Sequence, residues 1–203
     1  MIHSYLEEIT LLKTRDFVMY ELRSYTSPKS KLTQMIKKGE IIQIVRTVYA
    51  DSLSDPKLAA ASMIYSPCYI SFEAALAYHQ MIPERVFEVK SAGVQLKKEK
   101  HFDTPLGRYS FLYIPEAVFP WAVEPAMEQG HGFRLATKEK ALLDTIYKIR
   151  SVTRRKNLQE LLFDDLRLEE EAIMQLDWPF IQSLVPLYHS TTLNTLLRWR
   201  KAQ

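Results

Sequence analysis

A proline and a glycine bracket the most constrained stretch of this 203-residue chain. Ser27-Pro28 opens a run of helix-forming residues and Gly39 closes it, with Leu32, Met35 and Ile36 on one side of the 3.6-residue period. Pro28 fits a first helical position, where its missing N–H would go unpaired anyway, and Ser27 before it can cap. Gly39, directly after Lys38, supplies the left-handed residue that ends a helix. The β-branched runs Ile41 to Val45 and Val48 to Ala50 follow, around Arg46-Thr47. The segment therefore reads as a short helix leading into a tight two-stranded ribbon.

Opposite Leu32 and Ile36 stand Ser30, Gln34 and Lys37, flanked by Lys31, Thr33 and Lys38. A helix that enters the major groove needs this mixture, cations for phosphates and amides or hydroxyls for phosphates or base edges. Charge is concentrated there as well. Residues 23–46 carry six cations (Arg23, Lys29, Lys31, Lys37, Lys38, Arg46) against one anion, Glu40, although the whole chain nets only +3. A solvated helix face would explain a charge run by itself; the cap, the glycine stop and the ribbon favour a winged helix-turn-helix. In that reading Lys29, Lys31, Lys37, Lys38 and Arg46 hold phosphates, Ser30, Thr33 and Gln34 approach base edges, and Thr47 shares the tip of the wing with Arg46.

The rest of the chain supports an α+β protein, a winged helix-turn-helix in residues 1–52 followed by a larger mixed α/β domain, 53–203, with a helical C-terminal end. A first helix is expected over Ser4 to Leu12, with Lys13 and Thr14 as a turn and Thr14 capping a second helix from Arg15. After the polar linker Asp51 to Asp55, Asp55 caps a helix that Pro56 starts. Cys68 to Ile70 is extended, and Ser71 caps a helix over Phe72 to Gln80. Arg85 to Lys90 alternates as a strand does, and a turn at Thr104 to Gly107 joins His101-Phe102 to a strand at Tyr109 to Ile114. Pro115, Pro120 and Pro125 keep the next stretch irregular, with Trp121 as a core plug. Phe133 to Ala136 is a short strand. Thr137 caps a helix to Arg150, with Leu142, Leu143, Ile146, Tyr147 and Ile149 as its apolar stripe and a Lys140–Asp144 pair one turn apart. Helices follow at Leu158 to Leu162, Glu169 to Leu176, Pro179 to Leu187 and Thr191 onward.

Several function classes are disfavoured. No apolar run approaches the roughly 18 residues that span a bilayer, and the acidic start Met-Ile-His-Ser-Tyr-Leu-Glu-Glu is unlike a signal peptide. One cysteine, Cys68, allows neither an internal disulfide nor a cysteine-cluster metal site, so the cytoplasm is the expected compartment. No cofactor is implied. His79 has no partner histidine at metal-binding spacing. No phosphate-cradling glycine loop or nucleophile elbow occurs.

Four pieces in order resemble the AbiEi family, the antitoxin and repressor half of type IV toxin–antitoxin systems. They are the N-terminal helix-turn-helix ending in Gly39-Glu40-Ile41 and Val48-Tyr49-Ala50, the helix after Pro56, the stretch Tyr69 to His79, and Ala136-Thr137-Lys138-Glu139-Lys140-Ala141-Leu142-Leu143-Asp144. Together they span about residues 4–150. The family pattern often has glycine where this chain has Thr47, Phe72 and Gln80, and serine where it has Ala74. The resemblance implies an operon-autoregulating repressor that recognises inverted repeats in its own promoter. It also implies a nucleotidyltransferase-like toxin as functional partner, opposed without a stable complex. Two other readings compete: a metal-dependent nucleic-acid enzyme using Glu139, Lys140 and Asp144, and an adaptor whose winged helix binds protein. Against the first, ligands on one helix do not build a two-metal clamp.

Overall fold

The computed structural model describes residues 12–54, 56–84, 86–149 and 151–202. Its first elements are β1 (Lys13–Thr14), α1 (Arg15–Glu21), a 3-10 turn (Leu22–Ser24), α2 (Pro28–Lys38), β2 (Ile42–Val45) and β3 (Val48–Ala50). Thr14 caps α1 by accepting the Phe17 N–H at 3.3 Å, with Asp16 in the first turn. Pro28 opens α2, although the Ser27 hydroxyl turns to Ser30 rather than to a backbone N–H. Gly39 ends α2 at φ +71°; its own N–H and that of Glu40 return to Ile36 and Met35.

Lys13 and Thr14 are not the expected turn. They pair with Tyr49 and Val48, giving an antiparallel sheet in the order β1-β3-β2. The short third strand gives β3 backbone partners on both sides. The expected helix over Ser4 to Leu12 lies outside the described residues except for Leu12, which is buried. Successive β3 side chains point to opposite faces. Tyr49 packs with Val18, Leu22, Leu32 and Ile41 beneath the helices, whereas Val48 and Ala50 join Leu12 and Ile44 in the large core.

The remaining strands are β4 (Cys68–Ile70), β5 (Glu88–Gly93), β6 (Lys100–Thr104), β7 (Gly107–Tyr113), β8 (Val123–Glu128) and β9 (His131–Ala136). They form one mixed sheet in the order β6-β7-β5-β4-β9-β8, parallel at β5/β7 and β4/β9 and antiparallel elsewhere. With α3 (Lys57–Ile64) and α4 (Phe72–Tyr78) between strands, and α5 (Lys138–Tyr147), α6 (Arg155–Gln159), α7 (Glu170–Met174), α8 (Trp178–Leu184) and α9 (Thr191–Arg200) after them, the protein is α+β. Its C-terminal end is helical, and α4 and α9 both pack on α5. Among the described residues no helix is long and apolar enough to cross a membrane.

Other expectations are corrected as well. The strand read at Arg85 to Lys90 is shifted to Glu88–Gly93. Pro125 does not prevent a strand, because β8 is at the sheet edge, where a missing N–H costs no ladder bond. Trp121 is 53% exposed and plugs nothing. Pro56 sits just ahead of α3 rather than inside it. Asp55, the expected cap, lies outside the described residues; the Glu128 carboxylate accepts the Leu58 and Ala59 N–H groups at 2.7 and 3.3 Å.

Candidate nucleic-acid interface

The apolar side of α2 is sealed by its own small core: Leu32 is buried, and Met35 and Ile36 pack against the Val18, Leu22, Ile41 and Tyr49 cluster. Lys29, Ser30, Thr33, Gln34, Lys37 and Lys38 are thereby left exposed, with Lys31 half-buried. Arg46 and Thr47 are exposed at the hairpin tip. That tip is tied down. The Thr47 carbonyl accepts the Arg15 N–H at 2.9 Å, and the Tyr49 hydroxyl donates to the Arg46 carbonyl. All nine residues singled out in the sequence thus lie on α2 or on the β2–β3 turn, on backbone fixed by caps and pairing.

Their polar atoms differ in freedom. The Thr33 hydroxyl donates to the Lys29 carbonyl at 3.0 Å, so its oxygen remains only as an acceptor. Ser30 accepts from Ser27 at 2.8 Å and retains its own proton. The Gln34 side chain has no hydrogen-bond partner among the described residues, and an unengaged amide can still bond a base edge in two directions. Glu40 lies between two lysines, 3.8 Å from both Lys31 and Lys38. Lys29, Lys37 and Arg46 have no acidic partner among the described residues. The Lys31 ammonium also stands over the Tyr25 ring at 5.3 Å, and Arg23 lies on Tyr20 at 3.8 Å. Tyr20 and Tyr25, 61% and 49% exposed, extend the surface toward α1. Sequence reasoning passed over both. The only signal for Tyr25 is an aromatic two residues ahead of Ser27.

A second polar constellation is entirely internal. On α5, Lys140 Nζ lies 2.8 Å from Asp144 Oδ1 and 2.7 Å from the Tyr188 hydroxyl. Tyr188 in turn donates to Oδ1, while Tyr69 and Ser71 donate to Oδ2 at 3.0 and 2.7 Å. Ser71, expected to cap α4, spends its hydroxyl here instead. Both charged side chains are fully buried. Burial pushes the Lys140 pKa down, against the pull of Asp144. Burial, reinforced by Asp144, pushes Tyr69 and Tyr188 well up. The pairing expected one turn apart is present, but with its hydrogen bonds filled and no solvent access it cannot reach a phosphate or share a metal. Among the described residues no group of three or more His, Cys, Asp or Glu could hold a metal ion.

The basic run Lys148 to Lys156 is partly neutralised. Lys148 pairs with Glu99 at 2.8 Å and Lys156 with Glu160 at 3.9 Å, while Arg154 and Arg155 are exposed and Arg150 lies outside the described residues. His79 is held by packing, its Nε2 2.7 Å from the Ala136 carbonyl. No family model matches the chain, and no curated protein matches it either.

Proposed function

We propose that the protein is a sequence-specific DNA-binding repressor. Residues 1–52 act as a winged helix-turn-helix, α2 enters the major groove, and the β2–β3 hairpin is the wing. The observation that carries this reading is the sorting of α2 into two faces. Every residue needed for a groove except the half-buried Lys31 stays in water, while the apolar stripe packs into the module's own core. Lys29, Lys37 and Arg46, without acidic partners among the described residues, are the strongest phosphate holders. Gln34 is the principal base-reading residue, with Ser30 and Thr33 beside it.

We further propose that it is an AbiEi-type antitoxin that represses its own operon and opposes a nucleotidyltransferase-like toxin without a stable complex. Besides the ordered motifs, two backbone positions support this. Phe72 and Gln80, where the family pattern often has glycine, adopt φ +54° and +58°, the region that favours glycine. A two-fold symmetric operator would engage two copies of the module. Lys140 and Asp144 then serve architecture, and the cytoplasm is the compartment in which such a regulator works.

The test is a footprint on the DNA upstream of the protein's own gene, over a salt series. A protected inverted repeat whose affinity falls steeply with salt is the expected result. Absence of protection overturns the proposal, and a partner interaction insensitive to polyanions would point to a protein-binding adaptor.

A further inference from the structure

β4 and β9 are sheet neighbours, yet they pair only where Ile70 faces Leu135. Each is well paired on its other side, β4 with β5 and β9 along its whole length with β8. Beside that single bridge lies a cleft of about 400 Å3, within the size range of small-molecule sites. Pro67 and Cys68 line one wall, Met127 and Phe133 the other. Among the described residues no acidic side chain lines the cleft. Arg134 does; it is exposed, has no acidic partner among the described residues, and its charge bears on the Cys68 thiol.

The outer wall has a second task. At the tip of the β8–β9 hairpin, Glu128 holds the first N–H groups of α3, and Gln129 Nε2 donates to the Ser54 carbonyl at 3.1 Å. One hairpin therefore both bounds the cleft and grips the segment that joins β3 to α3.

We propose that the cleft is a regulatory site for a small apolar carboxylate. The apolar chain lies among Pro67, Met127 and Phe133, the carboxylate meets Arg134, and occupancy shifts the hairpin tip and so the set of the DNA-reading module. One guanidinium matches one carboxylate in a forked pair, whereas a phosphate dianion would call for further cations. The coupling rests on the proposed DNA binding; occupancy of the cleft does not.

Octanoate is the probe and octanamide its uncharged control, titrated calorimetrically into the full chain. Octanoate binds saturably, and both octanamide and Arg134→Gln reduce affinity by about tenfold or more, as loss of a charge-assisted contact does. Gly132→Leu places a side chain in the cleft and abolishes binding; a Cβ there is in ordinary contact with Met127 Sδ at 3.6 Å, and an unchanged melting transition is the check that the fold is kept. Octanoate then changes operator affinity severalfold in the parent and not in Gly132→Leu. No saturable octanoate binding, or equal binding by both variants, overturns the site. Octanoate binding with unchanged operator affinity overturns the coupling. A chain that binds octanoate but no DNA overturns the proposed function and leaves the site standing.

Discussion

In the small module Lys31 and Lys38 each lie 3.8 Å from Glu40, and the three side chains are 26%, 68% and 43% exposed. In the large core Lys140 lies 2.8 Å from Asp144 and both side chains are completely buried. The residue types are nearly the same; the surroundings decide what the pairs can do. In water the Coulomb attraction is screened, so the first set is weak and a phosphate can replace Glu40. Inside, charges removed from water must keep every partner, so the second set is locked. The contrast separates a surface suited to exchange from a network suited to holding α4, α5 and the turn at Tyr188 together.

The sharpest way to break the comparison is Asp144→Ala. It leaves the Lys140 ammonium buried without its carboxylate and strands the hydroxyls of Tyr69, Ser71 and Tyr188, so a loss of about 3–5 kcal/mol is expected by urea unfolding. The double variant Lys140→Met with Asp144→Leu removes both charges and should recover part of that loss. Recovery is incomplete, because the three hydroxyls still lack an acceptor. A cost for Asp144→Ala no larger than that of a surface substitution would show that the pair is not as sealed as its geometry.

Alkaline pH probes the same network. In the unfolded chain Tyr69 and Tyr188 ionise near 10.0, but in the folded chain burial and Asp144 hold both well above that. The unfolded state thus sheds protons first, and the tyrosines' contribution to stability falls as pH rises past about 10. Lys140 works the other way. Its folded pKa is lowered from 10.5, so stability gains from it as pH climbs toward that value and gains nothing beyond it. Above 10.5 only the tyrosine effect continues. Tyr188→Phe should cost about 1–3 kcal/mol at neutral pH through lost hydrogen bonds. It should also make the alkaline decline shallower in denaturation curves, and an unchanged decline would count against the assignment.

On the exposed side, under the proposed DNA binding, the expected effects are of similar or smaller size and fall on DNA rather than on folding. Gln34→Ala should relax discrimination at one base pair by about 1–3 kcal/mol, read by competition between single-base operator variants. Lys37→Ala should weaken all sequences alike and reduce the slope of log K against log salt by roughly one unit. Neither should move the melting temperature appreciably, since both side chains are in water. A large thermal effect from either would erase the distinction between the two regions.

How far the sequence led differs between the regions for a physical reason. Pro28, Gly39, Thr14 and Thr137 act within a few residues of themselves, and the elements they bound were read closely. So was the inward set Leu32, Met35 and Ile36, because a 3.6-residue period is local. The misses depended on distant partners. β1 exists because Tyr49 and Val48 come alongside Lys13 and Thr14. β8 tolerates Pro125 because no strand among the described residues pairs beyond it. The cap of α3 comes from Glu128. Lys140 and Asp144 could be paired from their spacing, but their burial depends on Tyr69, Ser71 and Tyr188 converging from elsewhere in the chain. The nine candidate contact residues share local elements, whereas the cleft between β4 and β9 arises only from tertiary pairing.

The smallest expected effect concerns Glu40. Exposed pairs contribute between nothing and about 1 kcal/mol, so Glu40→Gln should leave thermal stability almost unchanged. Its consequence lies in binding. Glu40 partly neutralises Lys31 and Lys38, and a phosphate that approaches either lysine must displace it or tolerate it. Without that carboxylate both lysines meet DNA fully charged, so affinity for unrelated sequences should rise by a few-fold and the salt slope steepen by less than about one unit. Operator affinity should rise by the same factor, since a phosphate contact carries no base information. A gain confined to the operator would place Glu40 beside a base pair instead of the backbone. Loss of affinity would mean that the pair positions the end of α2 rather than restraining its charge.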